Sequence, residues 1–178
     1  MLTTKELNNA LEDTLNAFIV EIRKQYTLQG HVLTGNLVNS IRWEVEIGDT
    51  KLTGKIFIAD YGLYVNNGVS SVKIPFSGSG GNGGRSKYIQ GLIRFFLIRG
   101  LGDQEAKRAA FATAHKHKKE GMPTKNSNKF SKNGKRVGAL DDAIKAKQDA
   151  TFDALEQRIA KTTKLSILNA FKGVKTKR

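Results

Sequence analysis

Histidine is the residue type in this 178-residue chain that most readily supports acid-base or metal chemistry, and the chain has three of them. His115 and His117 are two positions apart, a spacing that places their rings on different sides of a helix. His31 stands alone. No Ser-His-Asp grouping, carboxylate pair or metal motif has a recognisable spacing. The sequence therefore predicts no catalytic residue, no metal ligand and no enzyme activity.

Cysteine is absent, which excludes a disulfide framework and a thiolate metal site. A chain without cysteine suits a protein that is made and used in a reducing cytosol. Glu6, Glu12 and Asp13 stand where a signal peptide has a basic region, and Arg94 breaks the longest apolar run, LIRFFLI. We therefore expect neither a signal peptide nor a contact with a membrane.

A glycine-rich stretch, SGSGGNGGR at residues 77–85, satisfies the spacing Gly-x-Gly-x-x-Gly of a phosphate-binding loop. A dinucleotide fold needs a strand after the next helix, whereas here the next predicted element is a second helix. The phosphate loop of nucleotide triphosphatases also fails, since Ser79 stands at its first glycine and Arg85 at its lysine. We interpret residues 77–86 as a mobile connector and predict no cofactor.

Positive charge is the strongest compositional signal, because 30 Lys and Arg against 16 Asp and Glu give a net charge of +14. Residues 1–50 carry a net −3, so the excess lies in the rest of the chain. The densest run, residues 115–138, favours a polyanion or an acidic protein as partner, and a solvated flexible loop is the alternative. The residues predicted to make such contacts are Lys116, Lys118, Lys119, Lys125, Lys129, Lys132, Lys135 and Arg136.

The first 60 residues have the pattern of a helix followed by a hairpin. A Thr3-x-x-Glu6 capping box precedes apolar residues at helical spacing through about residue 28. Between residues 40 and 59, apolar and polar residues alternate on both sides of a GDTK turn, which predicts two antiparallel strands. The alternation in VSSVKIPF, residues 69–76, predicts a third strand with Val72, Ile74 and Phe76 on one face.

The rest of the chain has the pattern of helices. One helix is predicted from about Ser86 to Gly100, and a second begins at Asp103 as its N-cap, with a stripe of small residues, and ends at Gly121. Residues 122–138 lack apolar periodicity and are predicted to be a mobile basic loop.

A last helix is predicted from Leu140 to Lys172, followed by a basic tail at residues 173–178. At 1.5 Å per residue such a helix spans roughly 50 Å, more than a small sheet can cover, so part of it is expected to pack against another copy or another protein. The whole chain, residues 1–178, is predicted to be a single α+β domain: a small antiparallel sheet of a hairpin and a third strand, packed against long N- and C-terminal helices, with two further helices.

Two short motifs flank the predicted hairpin. The first is Thr34-Gly35-x-Leu37-x-x-Ser40-Ile41 between a helix and a strand, and the second, YGLYVNNG, contains Tyr61, Tyr64 and Gly68. In this order the two motifs resemble those of the tail-completion, or head-tail joining, proteins of tailed bacteriophages. The segment AFATAHKHKKEGMP, residues 110–123, is similar to a helix ending in Gly-x-Pro that such proteins often carry. This chain departs from the family at Asn66, where a glutamate is usual, and at Val69, where a threonine is usual.

The resemblance implies a non-enzymatic virion protein that forms a homo-oligomeric ring, six- or twelve-fold, in the neck between portal and tail. Its implied partners are its own copies, other neck, portal or tail proteins, and packaged double-stranded DNA, with assembly in the bacterial cytoplasm. On this interpretation Gly35 permits a sharp helix-to-strand turn, Leu37 and Ile41 anchor the turn to the core, and Ser40 makes a local hydrogen bond.

The alternative is a stand-alone, sequence-independent DNA- or RNA-binding protein that uses residues 115–138 as a basic arm. No recognised nucleic-acid-reading module accompanies that arm, and Phe130 is its only aromatic residue. An enzyme using the glycine-rich loop ranks third. The native mass of the assembled protein separates the first two hypotheses.

Overall fold

A computed structural model of the chain describes residues 4–49, 51–78 and 86–175. The predicted capping residue Thr3, most of the glycine-rich connector and the last three residues of the basic tail lie outside the described residues.

The described residues form a mostly helical α+β fold with one two-stranded antiparallel sheet, which confirms the predicted fold class. Two short 3-10 turns, Ser71–Lys73 and Lys125–Phe130, lie between the longer elements. The helices and strands are α1 (Thr4–Leu28), α2 (Asn36–Ser40), β1 (Arg42–Ile47), β2 (Leu52–Phe57), α3 (Tyr61–Asn67), α4 (Lys87–Ile98), α5 (Asp103–Glu120) and α6 (Ala139–Lys175).

The chain divides into two compact units. The first unit comprises residues 1–62 and 138–178, and the second unit comprises residues 63–137. The sequence-based assignment of the whole chain to a single domain stays a prediction.

In the first unit, α1 and α6 pack side by side in opposite directions. Asp13, near the start of α1, pairs with Arg158 far along α6, whereas Tyr26, near the end of α1, lies close to Asp141 at the start of α6. The amphipathic pattern of α1 is confirmed, and its buried residues include Leu15, Ile19 and Ile22. The buried face of α6 begins with two alanines, which allow close approach of the helices. They are Ala139 and Ala143.

The hairpin predicted between residues 40 and 59 is confirmed, with Trp43 opposite Ile56 and Val45 opposite Gly54. A Cβ atom at Gly54 would lie 3.0 Å from the methyl groups of Leu15, so α1 covers the sheet closely at this point. Trp43 is only half-buried, and its indole N–H donates to Asn16 Oδ1 at 2.7 Å. The apolar face of the sheet is only partly covered, since Ile47 and Ile56 are 62% and 38% exposed.

The prediction of a third strand is wrong. Residues 71–73 form a 3-10 turn, and Val69 makes a single β-bridge, with Met122. Val72 is 85% exposed while Ile74 and Phe76 are buried, so the apolar residues do not share one face. Pro75 has no N–H to donate to a sheet. Ile74 and Phe76 are instead buried in the core of the second unit, and this burial stabilises the segment without strand pairing.

The second unit is built on α4 and α5, which are joined by a short connection and pack against Ile74 and Phe76. Ser86 caps α4 by accepting from the Ile89 N–H at 3.2 Å, close to the predicted start. The small-residue stripe of α5 is confirmed at Ala106, Ala110 and Ala114, all fully buried. The predicted N-cap of α5 is wrong by one residue, since Gly102 holds that position and Asp103 lies in the first turn.

Two further boundaries differ from the sequence prediction. The basic segment 122–138 contains the 3-10 turn Lys125–Phe130, so it is not devoid of local structure. Glycine often ends a helix, but α6 continues through Gly173 to Lys175. At 37 residues and 1.5 Å per residue it is about 55 Å long.

Candidate functional site

The Thr34–Ile41 element is a tight turn between α1 and β1. Gly35 has φ 72°, a left-handed conformation that favours glycine. Thr34 Oγ1 accepts from the Asn36 N–H at 3.5 Å, which supports the chain as it enters α2. Leu37 and Ile41 are both buried in the core of the first unit. The predicted helix-to-strand turn, anchored by two apolar side chains, is therefore confirmed in its geometry.

Ser40 connects this turn to the segment that follows the hairpin. Its hydroxyl donates to the Leu37 carbonyl at 2.7 Å, the local bond that the sequence predicts. The same oxygen accepts from the Ala59 N–H at 3.0 Å, just after β2 ends. One hydroxyl therefore fixes where the chain enters the hairpin relative to where it leaves.

Arg23, which sequence reasoning missed, holds the same turn from α1. Its guanidinium donates to the Val38 carbonyl at 3.2 Å and to the Ile41 carbonyl at 2.8 Å. These carbonyls lie at the end of α2, where helices leave backbone acceptors without helical partners. No sequence signal separates Arg23 from other basic residues on an exposed helix face, because its acceptors are backbone atoms.

Tyr26 fixes the start of α3. Its fully buried hydroxyl donates to the Gly62 carbonyl at 3.2 Å. Burial, with a smaller effect from the negative charge of Asp141, raises the pKa of Tyr26 to about 12. A Cβ atom at Gly62 would lie 2.7 Å from Ile58 Cδ1 and 3.1 Å from Leu37 Cδ1, so the second motif requires glycine here.

The second motif also presents apolar side chains to solvent. Tyr61, Leu63 and Tyr64 of α3 are 46%, 55% and 67% exposed. Asn66, at the position where the family usually has glutamate, is instead buried. Gly68 has φ 73°, and a Cβ atom there would lie 2.6 Å from the Met122 carbonyl oxygen. The motif thus combines backbone positions that need glycine with a small exposed aromatic cluster.

Positive charge is concentrated in the second unit. Residues 63–137 contain 15 Lys and Arg and three Asp and Glu, a net +12, which leaves +2 for the first unit. A field of this strength within 75 residues attracts polyanions and acidic protein surfaces. Most of the excess positive charge of the chain therefore lies in the second unit.

The predicted basic contact residues do not form one uniform set. Lys118 donates through Nζ to the Ile74 carbonyl at 3.2 Å, and Lys116 is half-buried. Arg136 is half-buried, and burial together with the nearby charge of Arg99 lowers its pKa. These three residues have structural surroundings that an open loop would not give them. Lys118 is nevertheless exposed, as are the remaining predicted residues: Lys119, Lys125, Lys129, Lys132 and Lys135.

The turn Lys125–Phe130 carries two of these exposed cations, Lys125 and Lys129. Its backbone is tied to α5 by the Lys125 N–H, which donates to Glu120 Oε2 at 3.0 Å. Phe130 is 60% exposed, and Lys129 Nζ lies 5.1 Å from the centre of its ring, within reach of a cation-π interaction. This segment is thus a short basic surface with an exposed aromatic ring.

The histidines do not converge. His117 Nδ1 lies 2.7 Å from the Tyr88 hydroxyl, and burial lowers the pKa of His117. His115 instead contacts the edge of the Phe76 ring, with ring centres 4.8 Å apart. His31 lies 6.0 Å from the ring of Tyr26. Within the described ranges, no three His, Cys, Asp or Glu side chains are grouped so as to hold a metal ion.

No protein-family model, curated protein or solved structure matches the chain. In the part of the chain that the structure describes, no helix combines the length and apolar character needed to span a membrane.

Proposed function

We propose that this chain is a structural subunit of the neck of a tailed bacteriophage. Copies of the chain form a ring that joins the DNA-filled head, on its portal side, to the tail. The subunit assembles in the bacterial cytoplasm, stays in the virion and catalyses no reaction. The single observation that carries the proposal is the geometry of the two family motifs, in which each motif residue has a definable task.

Three motif residues build the turn from within. Leu37 and Ile41 are buried, and Ser40 bonds both its own turn and the residue after β2. Such a turn holds the hairpin rigidly against α1, and rigid elements are what a subunit needs to present a reproducible surface to its neighbours.

Two other motif residues face outward. Tyr61 and Tyr64, with Leu63 between them, expose apolar area on a seven-residue helix. Aromatic residues are enriched at the centres of protein interfaces because they bury a large area with few rotatable bonds. This exposed cluster supports a role in contacts with neighbouring neck proteins.

The charge of the second unit supports a position of the subunit beside DNA or acidic proteins. A ring multiplies the +12 of each second unit by the number of copies, and the passage of packaged DNA would meet that charge. Contacts of this kind are made to phosphates and need no base sequence.

The same charge also favours the second candidate, a stand-alone DNA- or RNA-binding protein without sequence preference. That candidate assigns no task to the exposed Tyr61 and Tyr64, and the turn Lys125–Phe130 with the adjacent Lys132, here named the basic turn, offers a single exposed aromatic ring for base stacking, Phe130. We therefore rank it below the neck subunit.

The test uses a phage in which the gene for this chain carries Tyr61→Ser and Tyr64→Ser. We expect filled heads and free tails to accumulate without joining, as counted by electron microscopy. The matched control is Val72→Ser, which removes an exposed apolar side chain outside both motifs. Normal particles from the double variant, or an equal defect in the control, would contradict the proposed role of the motif.

A further inference from the structure

An acidic surface lies on the solvent side of α6, opposite in character to the basic turn. Residues 148–157 contain three acidic residues and no basic residue. Asp149, Asp153 and Glu156 are all exposed, at spacings of four and three that place them along one face of the helix. Among the described residues, none of the three takes part in an ion pair with its own chain.

An exposed aromatic ring stands within this acidic face. Phe152 is 59% exposed, three positions after Asp149 and four before Glu156. Most of this large apolar side chain faces solvent, whereas Ala143 and Thr151 of the same helix are buried. Aromatic side chains surrounded by polar residues are a common arrangement at binding surfaces.

The basic turn has the complementary arrangement. Lys125, Lys129 and Lys132 are close to Phe130 in the sequence, Lys129 Nζ lies 5.1 Å from the centre of its ring, and residues 121–138 contain no acidic residue. The turn Lys125–Phe130 extends over about 12 Å at 2.0 Å per residue, and the acidic face from Asp149 to Glu156 over about 10 Å at 1.5 Å per residue. The two surfaces thus match in length, are opposite in charge and each contain one exposed phenylalanine.

We infer that the acidic face of α6 in one copy binds the basic turn of the next copy. The inference rests on the proposed self-assembly and names its interface. Because two different surfaces meet, the contact is head-to-tail, which closes into a ring when the rotation between copies allows it. The opposite charges set the orientation of the partners, and the two phenylalanines provide the apolar centre of the contact.

A second copy of the chain is favoured over nucleic acid as occupant of the basic turn because both halves of the contact are present in the same chain. DNA would explain the lysines but would leave the acidic face of α6 and Phe152 without a partner. The acidic face repels phosphate, so a polyanion cannot occupy both surfaces.

The test is a charge-exchange experiment followed by sedimentation velocity of the full chain at low and moderate salt. The acidic variant carries Asp149→Lys, Asp153→Lys and Glu156→Lys, and the basic variant carries Lys125→Glu, Lys129→Glu and Lys132→Glu. We expect each variant to weaken self-association at least tenfold. The variant that carries all six substitutions should recover most of the lost affinity.

The matched control carries Glu44→Lys, Glu46→Lys and Asp49→Lys, which changes the net charge as much as the acidic variant does but at exposed positions outside α6 and outside the Tyr61–Tyr64 cluster. Its self-association should stay within twofold of the unmodified protein. Circular dichroism verifies folding, and Phe152→Ala, which alters no charge, should also weaken association by at least fivefold.

The outcomes separate the inference from the proposed function. An unmodified chain that stays monomeric at low salt overturns the ring and this interface together. A chain that assembles normally in spite of the acidic variant and Phe152→Ala overturns the interface alone. Loss of duplex DNA binding in the basic variant, with assembly intact, would assign the basic turn to nucleic acid and also overturn the interface.

Discussion

The side chains around Gly62 leave no room for a Cβ atom, and adding a single methyl group tests this. A Cβ atom there would lie 2.7 and 2.8 Å from two side-chain atoms of Ile58, in a region where Leu37 is also close. We expect Gly62→Ala to lower the free energy of unfolding by about 1–3 kcal/mol, the usual cost of overpacking a core. Urea denaturation measures the change.

The matched control is Gly91→Ala. Gly91 lies inside α4, and a Cβ atom there meets no atom within 4 Å. Alanine should therefore raise the free energy of unfolding by about 0.5–1 kcal/mol, because glycine is a poor helix former. Equal changes of the same sign in the free energy of unfolding at the two positions would contradict the close packing around Gly62.

The raised pKa of Tyr26 should make the free energy of unfolding depend on pH. Its pKa is raised from 10.0 to about 12 in the folded chain, mainly by burial, so the folded state keeps the hydroxyl proton that the unfolded state loses. The contribution is complete below pH 10 and is lost as the pH rises from 10 to 12. We expect the free energy of unfolding to fall by on the order of 2 kcal/mol over that window.

Tyr26→Phe is the control for this titration, since it keeps the ring and removes the ionisable group. The variant should lose the hydrogen bond to Gly62 and be less stable at pH 8, but its stability should decline less between pH 10 and 12. A decline as steep as that of the unmodified chain would mean that another group causes the pH dependence.

At the scale of elements, Arg23 links α1 to the Thr34–Ile41 turn. Arg23→Ala removes donors to the Val38 and Ile41 carbonyls and should lower the free energy of unfolding by about 1–3 kcal/mol. Arg23→Lys should recover little, because a single ammonium does not reproduce the two-pronged geometry of a guanidinium.

The control for Arg23 is Lys5→Ala, an exposed basic residue of the same helix. It should change the free energy of unfolding by less than about 0.5 kcal/mol, as is usual for surface substitutions. Hydrogen exchange of the amides of α2 adds a local readout, and unchanged protection in Arg23→Ala would contradict the proposed link.

The elements that periodicity marks clearly were predictable from the sequence. The spacing of apolar residues located α1, α4, α5 and α6, and strict alternation located the hairpin, because each of these elements buries one face. The third strand failed because alternation over eight residues does not reveal that Pro75 and a 3-10 turn interrupt it. The N-cap of α5 was displaced because Gly102 and Asp103 are both acceptable at a helix start.

The candidate site was only partly predictable. Gly35, Leu37, Ser40 and Ile41 have the positions that the motif implies, since their tasks are local in sequence. The second bond of Ser40, to Ala59, and the contacts of Arg23 and Tyr26 join residues 15 to 36 positions apart and leave no local pattern. Likewise, composition placed Lys118 and Arg136 in an open basic loop, because it reports neither the bond of Lys118 to the Ile74 carbonyl nor the partial burial of Arg136.

At the scale of the whole molecule, the concentration of +12 in the second unit predicts sequence-independent binding to duplex DNA. Affinity should fall steeply between about 50 and about 200 mM salt, because bound cations are released from the phosphates. Arg108→Glu with Lys119→Glu, on the exposed side of α5, should weaken binding and reduce the salt dependence by about two units of slope.

The matched control is Lys5→Glu with Lys51→Glu, which changes the net charge equally but lies in the first unit. We expect this control to bind DNA nearly as well as the unmodified chain. Equal losses in both variants would mean that total charge, and not the second unit, determines the affinity.

Assembly of the chain into a closed ring can be measured by native mass spectrometry of the purified protein at low salt. We expect one dominant species of six or twelve copies, at that multiple of 19.6 kDa, which dissociates as the salt concentration rises. A species that remains at one or two copies at every salt concentration, with tight binding to duplex DNA, would contradict the neck assignment and favour the stand-alone nucleic-acid-binding protein.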